Sequence, residues 1–287
     1  MNILDVVIFA PLVGALLVGL IPKERSNAIR WTALAATLAV FGLSLGVLGS
    51  FETGTAGFQL GTTADWVPSW GIRYITGIDG LSLWMIMLTT FLMPLCVLAS
   101  WSMESRVKPY FIFLLTLETG MLGVFSALDL FLFYLFWEVT LVPMYFLIGI
   151  WGYGRRIYAA MKFFLFTLAG SLLMLVAIIF LYFASSNPHT FGFQDLLGTP
   201  LALNTQRWLF LGFFASFAVK VPLVPLHTWL PDAHTEAPTA GSVMLAGVML
   251  KMGAYGLLRF AIPLFPDAAR GFVPFIMTLA IIGIVYG

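Results

Sequence analysis

Four ionisable side chains lie near the middle of long apolar runs of the sequence. They are Glu118, Glu138, Lys220 and Lys251. If these runs cross a bilayer, each charge lies near its midplane, where a lone charge costs at least ~2.5–3.5 kcal/mol on insertion scales. Acids and bases at that depth are typical of side chains that pair, face a wet interior and carry ions or protons. We therefore take these four residues as candidates for proton or ion transfer.

The composition predicts an integral membrane protein. Hydrophobic residues make up 61% of the chain and charged residues 9%, whereas a soluble domain has about 25% charged residues. The mean hydropathy is +1.00. The net charge of +1 does not favour a nucleic-acid or acidic partner. The single cysteine, Cys96, excludes an internal disulfide and a cysteine-ligated cluster.

Apolar runs near the ~20 residues that a spanning helix needs recur along the chain. They predict an all-α, multi-spanning helix bundle. The predicted spans are 3–21, 29–50, 78–101, 109–127, 130–151, 158–184, 208–230 and 239–264. A ninth begins near Phe272 and reaches Gly287 without a stop signal, so we expect the sequence to be part of a longer protein. The longer connections, 51–77 and 185–207, are expected to be surface loops with room for short strands.

Basic residues in the connections predict the orientation. The first, third and fifth connections hold Lys23, Arg25, Arg30, Arg106, Lys108, Arg155 and Arg156. The alternate connections hold a thinner set, namely Arg73, Arg207, Arg259 and Arg270. Because basic residues favour the cytoplasmic side, we expect the odd-numbered connections inside and the N-terminus outside. Asp79 and Asp129 begin the third and fifth helices, where an acid caps free N–H groups.

The seventh span is predicted to be a broken helix. Pro222 cannot donate a hydrogen bond to the carbonyl of Ala218, and Pro225 cannot donate to that of Val221. Such backbone is tolerated at membrane depth where it is buried in protein or lines a wet cavity. The first half-helix would end near Lys220, where the negative dipole end favours the ammonium form and burial opposes it. A lysine balanced in this way can take up and release a proton.

Glu138 has a similar setting, since Pro143 frees the carbonyl of Val139. A carboxylate near Lys220 would hold the lysine protonated, and separation of the two would release the proton. An inert structural ion pair is the alternative for these two residues. For Glu118 a structural role is about as well supported as a functional one.

The remaining polar residues around the break leave further alternatives. His227 lies seven residues after Lys220 and could relay protons or be a hydrogen-bonded packing residue. The spacing of His227, Asp232, His234 and Glu236 matches no ligand motif, so no metal is predicted. The sequence also lacks GxGxxG, GxxxxGK[ST], CxxC and a histidine pair placed for haem. Redox chemistry and ATP hydrolysis within the chain are therefore not predicted.

Three segments resemble the antiporter-like subunits of respiratory complex I, and the M subunits most closely. They are LDLFLFYLFWEVTLVPMYFLIGIWG, YAAMKFFLFTLAGSLLMLVA and VKVPLVPLHTWLPDAHTEAPTAGSVMLAGVMLKMGAYGLLRF. The resemblance covers the third to ninth spans well and the first two loosely. It implies a fourteen-helix antiporter-like fold with two inverted five-helix repeats. Residues 108–265 would be the first repeat, 1–107 the preceding helices and outer loop, and 266–287 the start of the second repeat.

The resemblance also implies roles for individual residues. Glu138 matches the family's glutamate of the fifth helix, Lys220 the lysine of the broken helix, and Lys251 the lysine that connects to the next half-channel. His227 matches a histidine after the break, and Glu118 resembles an accessory acid. The second repeat and its exit residue are missing here, so these residues do not assign a complete proton path.

The implied function is that of a proton-pumping subunit of NADH:quinone oxidoreductase in a bacterial inner membrane, with a mitochondrial membrane less favoured. The neighbours would be L-type and N-type antiporter-like subunits. FMN, iron–sulfur clusters and quinone would belong to other subunits, with no cofactor in this chain. A subunit of a multisubunit sodium/proton antiporter and an inert membrane scaffold are the alternatives.

Overall fold

Long apolar helices make up nearly all of the chain, as the apolar runs predict. The computed structural model describes residues 2–186 and 188–286. The first six long helices are α1 Ile3–Leu20, α2 Ser26–Ser50, α3 Gly80–Ala99, α4 Val107–Ser126, α5 Leu130–Trp151 and α6 Arg156–Ala184. These bounds differ from the predicted ones by a few residues, because hydropathy marks the apolar stretch and hydrogen bonding sets the ends.

The seventh predicted span forms two helices, as expected for a broken helix. After a short helix, α7 (Phe193–Leu196), the chain forms α8 (Leu203–Lys220), a turn, and α9 (Trp229–Glu236). The predicted break is therefore confirmed, and Lys220 is the last residue of its first half. The next helix, α10 (Thr239–Leu264), includes π-helical turns at Leu245–Met249 and Leu257–Ala261, and α11 spans Pro266–Tyr286.

Eight of the helices formed by the described residues are long and apolar enough to cross a membrane. They are α1 to α6, α10 and α11. Because α8 starts with the polar sequence LNTQR and ends at the break, it does not meet that criterion alone. The structure thus confirms a multi-spanning helix bundle with a discontinuous seventh segment.

A β-hairpin occupies the first long loop. Strands β1 (Gln59–Val67) and β2 (Ile72–Ile78) pair antiparallel. The hairpin is fastened to α1 through Asp5, whose carboxylate accepts hydrogen bonds from the Thr62 hydroxyl at 2.7 Å and the Tyr74 hydroxyl at 2.8 Å. A buried carboxylate with several donors is well solvated by the protein, so Asp5 holds the first long loop against the bundle.

Helix α4 forms the centre of the bundle. It packs against α1, α2, α3 and α5, and its second half is buried without interruption from Leu117 to Ser126. At Gly123 an added Cβ atom would overlap the ring of Phe136, so the glycine allows α5 to approach closely. The central position of α4 explains why Glu118 is remote from lipid.

Acidic caps begin two of the helices, as predicted. The Asp79 carboxylate accepts from the N–H of Ser82 at 3.0 Å. That of Asp129 accepts from the N–H groups of Phe131 and Leu132 at 2.9 and 3.0 Å. Both side chains satisfy N–H groups that the first turn leaves unpaired, so the start of α3 and of α5 is fixed.

Candidate proton-transfer site

Lys220 lies at the end of α8 with its side chain inside the bundle. The residue is 1% exposed, and its Nζ atom lies 5.0 Å from the centre of the Trp137 ring. The aromatic face attracts the ammonium group, and so does the negative end of α8. Within the described residues, Nζ has no hydrogen-bond partner. The charged form of an amine buried without a close anion is costly.

The backbone around the break is more fully bonded than the prolines predict. The carbonyl of Ala218, expected to be free, accepts from the N–H of Leu223 at 2.8 Å. The prediction was wrong at this carbonyl because the turn after Lys220 brings an N–H group five residues on into its reach. The neighbouring carbonyl of Val219 accepts from the indole N–H of Trp229 at 2.9 Å. Trp229 therefore ties the start of α9 to the end of α8.

Glu138 lies on α5 one residue after Trp137. It is half-buried, and its carboxyl group lies near the hydroxyls of Tyr134 and Ser171. No ion pair of 4.0 Å or less joins Glu138 to Lys220 in the described part of the chain. Since the ammonium group of Lys220 lies against the ring of Trp137, the two predicted partners lie on neighbouring parts of α5 and α8 without forming a contact pair.

Helix α6 links the two charged residues. Ser171 faces Glu138, and at the adjacent Gly170 an added Cβ atom would lie 3.2 Å from Val219 and 3.3 Å from Ser216. The absence of a side chain at Gly170 lets α8 approach α6 closely. Helix α6 thus packs against both α5, which carries Glu138, and α8, which carries Lys220.

Glu118 and His227 are the other predicted residues with orphaned polar atoms. Glu118 is fully buried, and neither carboxyl oxygen has a hydrogen-bond partner among residues 2–186 and 188–286. His227 lies in the turn between α8 and α9, with Nδ1 buried and likewise unpartnered there. Its ring lies edge-on to Tyr286 at 5.5 Å. Neither residue forms a described hydrogen bond to Glu138 or Lys220. His227 thus lies beside the break and Glu118 lies on α4, and neither is hydrogen-bonded to the predicted Glu138–Lys220 pair.

Lys251 lies apart from this cluster. It is exposed on the surface of α10, and its ammonium group donates to the carbonyl of Ala246 in the first π-helical turn. Helix α10 nevertheless packs directly against α8, since an added Cβ atom at Gly253 would lie 2.8 Å from the carbonyl oxygen of Phe217. The role of Lys251 as proton acceptor stays a prediction.

The charged pairs of the described residues were not predicted from the sequence, and two of them are close and largely covered. Arg259, counted there among residues of an outer connection, lies in the second π-helical turn of α10 and pairs with Asp79 at 2.5 Å. Burial raises the pKa of Asp79, but the hydrogen bond from Arg259 and that from the Ser82 N–H outweigh it, and the pKa lies below its ordinary value. The position of Arg259 within an apolar run was the sequence signal that could have indicated a buried partner. The second pair joins Lys162 to Asp232 at 2.7 Å.

Asp129 differs from Asp79 in having no ion pair within the described residues. It is fully buried, and burial raises its pKa to about 6, although three backbone N–H groups and Arg73 act in the opposite direction. Outside residues 1, 187 and 287, the chain contains no group of three or more His, Cys, Asp or Glu side chains that could hold a metal ion. The ionisable groups described at the site are an amine, carboxyl groups and the imidazole of His227.

Two family models of known proteins together match most of the chain. Residues 127–287 match the family model described as "NADH:quinone oxidoreductase/Mrp antiporter, TM", and residues 31–125 match "NADH-ubiquinone oxidoreductase chain 4, amino terminus". NADH-quinone oxidoreductase subunit M of Rhodobacter capsulatus is 47% identical over 99% of this chain and 58% of that protein. NADH-ubiquinone oxidoreductase chain 4 of Arabidopsis thaliana is 49% identical over 97% of this chain and 56% of that protein.

Among solved structures, respiratory complex I from Thermus thermophilus with bound NADH contains a similar chain. The TM-score is 0.85 at 32% identity, over 96% of this chain and 56% of that one. The chain thus spans a little over half the length of the curated relatives it matches. These findings confirm the predicted resemblance. Since the first family model covers more than half of the sequence, the chain belongs to the NADH:quinone oxidoreductase/Mrp antiporter transmembrane family.

Proposed function

We propose that this chain is the proton-translocating part of an M-type membrane subunit of NADH:quinone oxidoreductase. Lys220 carries the proposal, because it is a fully buried amine at the end of a broken membrane helix with no hydrogen-bond partner among the described residues. A structural lysine would be expected to have a close anion, since a buried unpaired charge is costly. The names of relatives at 47–49% identity support the same assignment.

The proposed cycle depends on the separation of Glu138 and Lys220. While the carboxylate is near, its charge stabilises the ammonium form of Lys220. When the two move apart, burial favours the neutral amine and the proton leaves. Lys251 on the adjacent helix α10 receives the proton and passes it on. His227, beside the break, is the group that resupplies Lys220, and Glu118 serves as a further buried proton holder.

The unpartnered polar atoms near this path support a hydrated route. Buried polar groups in proteins are nearly always hydrogen-bonded to protein or to ordered water. The described residues with buried side-chain atoms lacking a protein partner include Glu118, Thr119, Trp137, Glu138, Ser216, Lys220 and His227. They lie on α4, α5, α8 and the turn after α8, where water would satisfy them and conduct protons between them.

The proposed setting is a bacterial inner membrane, with the N-terminus outside and the other membrane subunits of the complex as neighbours, L-type and N-type antiporter-like subunits in particular. Electron transfer through FMN, iron–sulfur clusters and quinone takes place in other subunits. Residues 108–265 would form the first of two repeats. This chain contributes the proton path and its conformational response.

Replacement of Glu138 tests this cycle. In membrane vesicles containing the complete complex, Glu138→Gln is expected to lower the protons pumped per NADH oxidised by about tenfold or more, because a positioned proton-transfer group typically contributes about 10²-fold or more to its step. The measurement compares fluorescence quenching by the proton gradient with the rate of NADH oxidation. Glu24→Gln, at an exposed position of the first connection, is the matched control. An unchanged ratio in Glu138→Gln, with normal assembly, would refute the proposed cycle.

A sodium/proton antiporter subunit is the second candidate, because the matching family model is described for both protein classes. The two functions differ in the complex that contains the chain. Co-purification with NADH:quinone reductase activity supports the first, and isolation with antiporter subunits and no such activity supports the second. Dependence of proton movement on added sodium ions would also favour the antiporter.

A further inference from the structure

A salt bridge connects the second half of the broken helix to α6. The Lys162 ammonium group donates to the Asp232 carboxylate at 2.7 Å, and the two side chains are 20% and 24% exposed. Arg155 lies at 3.7 Å from the same carboxylate but is 76% exposed. The close, largely covered pair is the stronger of the two contacts, because solvent screens exposed charges.

The same short helix touches the end of α8 directly. Asp232 lies three residues after Trp229, so the two are neighbours along one side of α9. The Trp229 indole donates to the carbonyl of Val219, immediately before Lys220, and its ring packs against Phe163 at 5.4 Å. Lys162 and Phe163 are adjacent on α6. Two adjacent residues of α6 thus contact α9, Lys162 through its ion pair and Phe163 through its ring.

The far end of α9 is fixed independently. The carbonyl of Glu236 accepts from the N–H of Tyr153 at 2.9 Å, and the carbonyl of His234 accepts from the hydroxyl of Ser242 at 3.1 Å. Loss of the Lys162–Asp232 pair would therefore loosen the half of α9 nearest the break, which would keep only the contacts of Trp229, while the C-terminal half stays in place. Trp229 and the backbone at Lys220 would move with the loosened half.

We propose that Lys162 and Asp232 are positioning residues for proton transfer at Lys220. Their ion pair fixes α9 against α6, and Trp229 transmits that position to the last turn of α8. This inference rests on the proposed function, and it assigns to both residues an indirect effect, with no proton passing through them. It also explains why an acid follows the break: the acid anchors α9 to the helix that faces Glu138.

The experiment compares single and exchanged charges in vesicles containing the complete complex. Lys162→Gln and Asp232→Asn are each expected to lower the protons pumped per NADH oxidised by about tenfold or more, because a misplacement of a reacting group by about 1 Å can cost about 10²-fold in rate. The exchange Lys162→Asp with Asp232→Lys restores the opposite charges and is expected to recover at least half of the wild-type ratio. Arg270→Gln, from the exposed pair with Asp267 at 4.0 Å, is the matched control.

A second readout reports the position of α9 itself. Hydrogen exchange of backbone amides in α9 is expected to speed up in both single variants and to return towards wild type in the exchanged variant. Wild-type pumping in both single variants, or assembled exchanged protein that pumps no better than the single variants, would overturn the inference. Glu138→Gln is measured in parallel. If it loses pumping while the Lys162 and Asp232 variants do not, only the positioning role fails; if it too pumps normally, the proposed function fails.

Discussion

At the scale of single residues, the charged side chains of the bundle are of two kinds, those with a close partner and those without one. Asp5, Asp79 and Asp232 have close donors or cations. Glu118 and Lys220 are buried without such partners among the described residues. Charges of the first kind stabilise the fold, whereas those of the second kind are costly to bury and are the candidates for proton transfer.

Asp129 and Asp79 give a prediction about pH, because they are both helix caps with opposite shifts. The pKa of Asp129 is raised to about 6 by burial, against about 3.9 in an unfolded chain. Ionisation therefore costs stability, which is complete below about pH 4 and is lost as the pH rises through about 6. Asp129→Asn keeps an oxygen acceptor for the cap and is expected to weaken this fall in the thermal unfolding midpoint.

Asp79→Asn is the control with the opposite sign. Its pKa is lowered, so the stability it contributes is present above about pH 4 and is lost on acidification. Thermal unfolding of the purified protein in detergent at several pH values compares the three forms. A steeper loss of stability with rising pH in Asp129→Asn than in the unsubstituted protein would contradict the burial argument.

The sequence predicted the burial and capping of single residues but not their distant ion-pair partners. Burial of Glu118 and Lys220 followed from their apolar surroundings, and the caps followed from acids at span boundaries. The Lys162–Asp232 and Arg259–Asp79 pairs did not follow, because their partners are about 70 and 180 positions apart. A single sequence contains no information on which distant helices meet.

At the scale of elements, the broken segment is held in place by the helices on either side of it. Helix α6 contacts it at Gly170, and α10 contacts it at Gly253. The prolines predicted the break, yet the turn re-forms one of the freed bonds through Leu223. The sequence pattern identifies where a helix ends; the tertiary fold decides which groups satisfy the ends.

Gly253→Ala tests the contact between α10 and the break. The added Cβ atom would lie 2.8 Å from the carbonyl oxygen of Phe217 and 2.9 Å from the N atom of Val221. Since both are backbone atoms, the helices must separate, at an expected cost of about 1–3 kcal/mol in unfolding free energy. Gly42→Ala in α2, where nothing lies within 4 Å of the added atom, is expected to be neutral or stabilising.

The measurement is the thermal or denaturant unfolding of the two variants in the same detergent. The Gly253→Ala variant should also pump fewer protons per NADH, because the separation moves the backbone beside Lys220. Equal stability of both variants would show that α10 does not approach α8 as closely as described.

At the scale of the whole molecule, composition was enough for the architecture. Apolar runs predicted the spans, and the first long loop contains the hairpin β1–β2, in line with the short strands that the sequence allowed there. The direction in which the bundle crosses the membrane stays a prediction from the distribution of basic residues. It has a direct test, since the native Cys96 is buried and gives little background labelling.

Thr55→Cys in the first outer loop is expected to react with a membrane-impermeant maleimide in intact cells. Glu104→Cys in the third connection is expected to react only after the membrane is opened. Both positions are exposed, so access to the reagent depends on the side of the membrane alone. The reverse pattern of labelling would show that the chain crosses the membrane in the opposite direction.

Lys220→Arg provides the most direct test of the central claim, that Lys220 gives up its proton during turnover. Arginine keeps a positive charge at the end of α8 but does not deprotonate in proteins. The measured quantity is the number of protons pumped per NADH oxidised by the assembled complex. We predict a loss of about tenfold or more in Lys220→Arg, as large as that in Lys220→Met. Pumping at the wild-type ratio in Lys220→Arg would show that only the charge matters and would contradict the account.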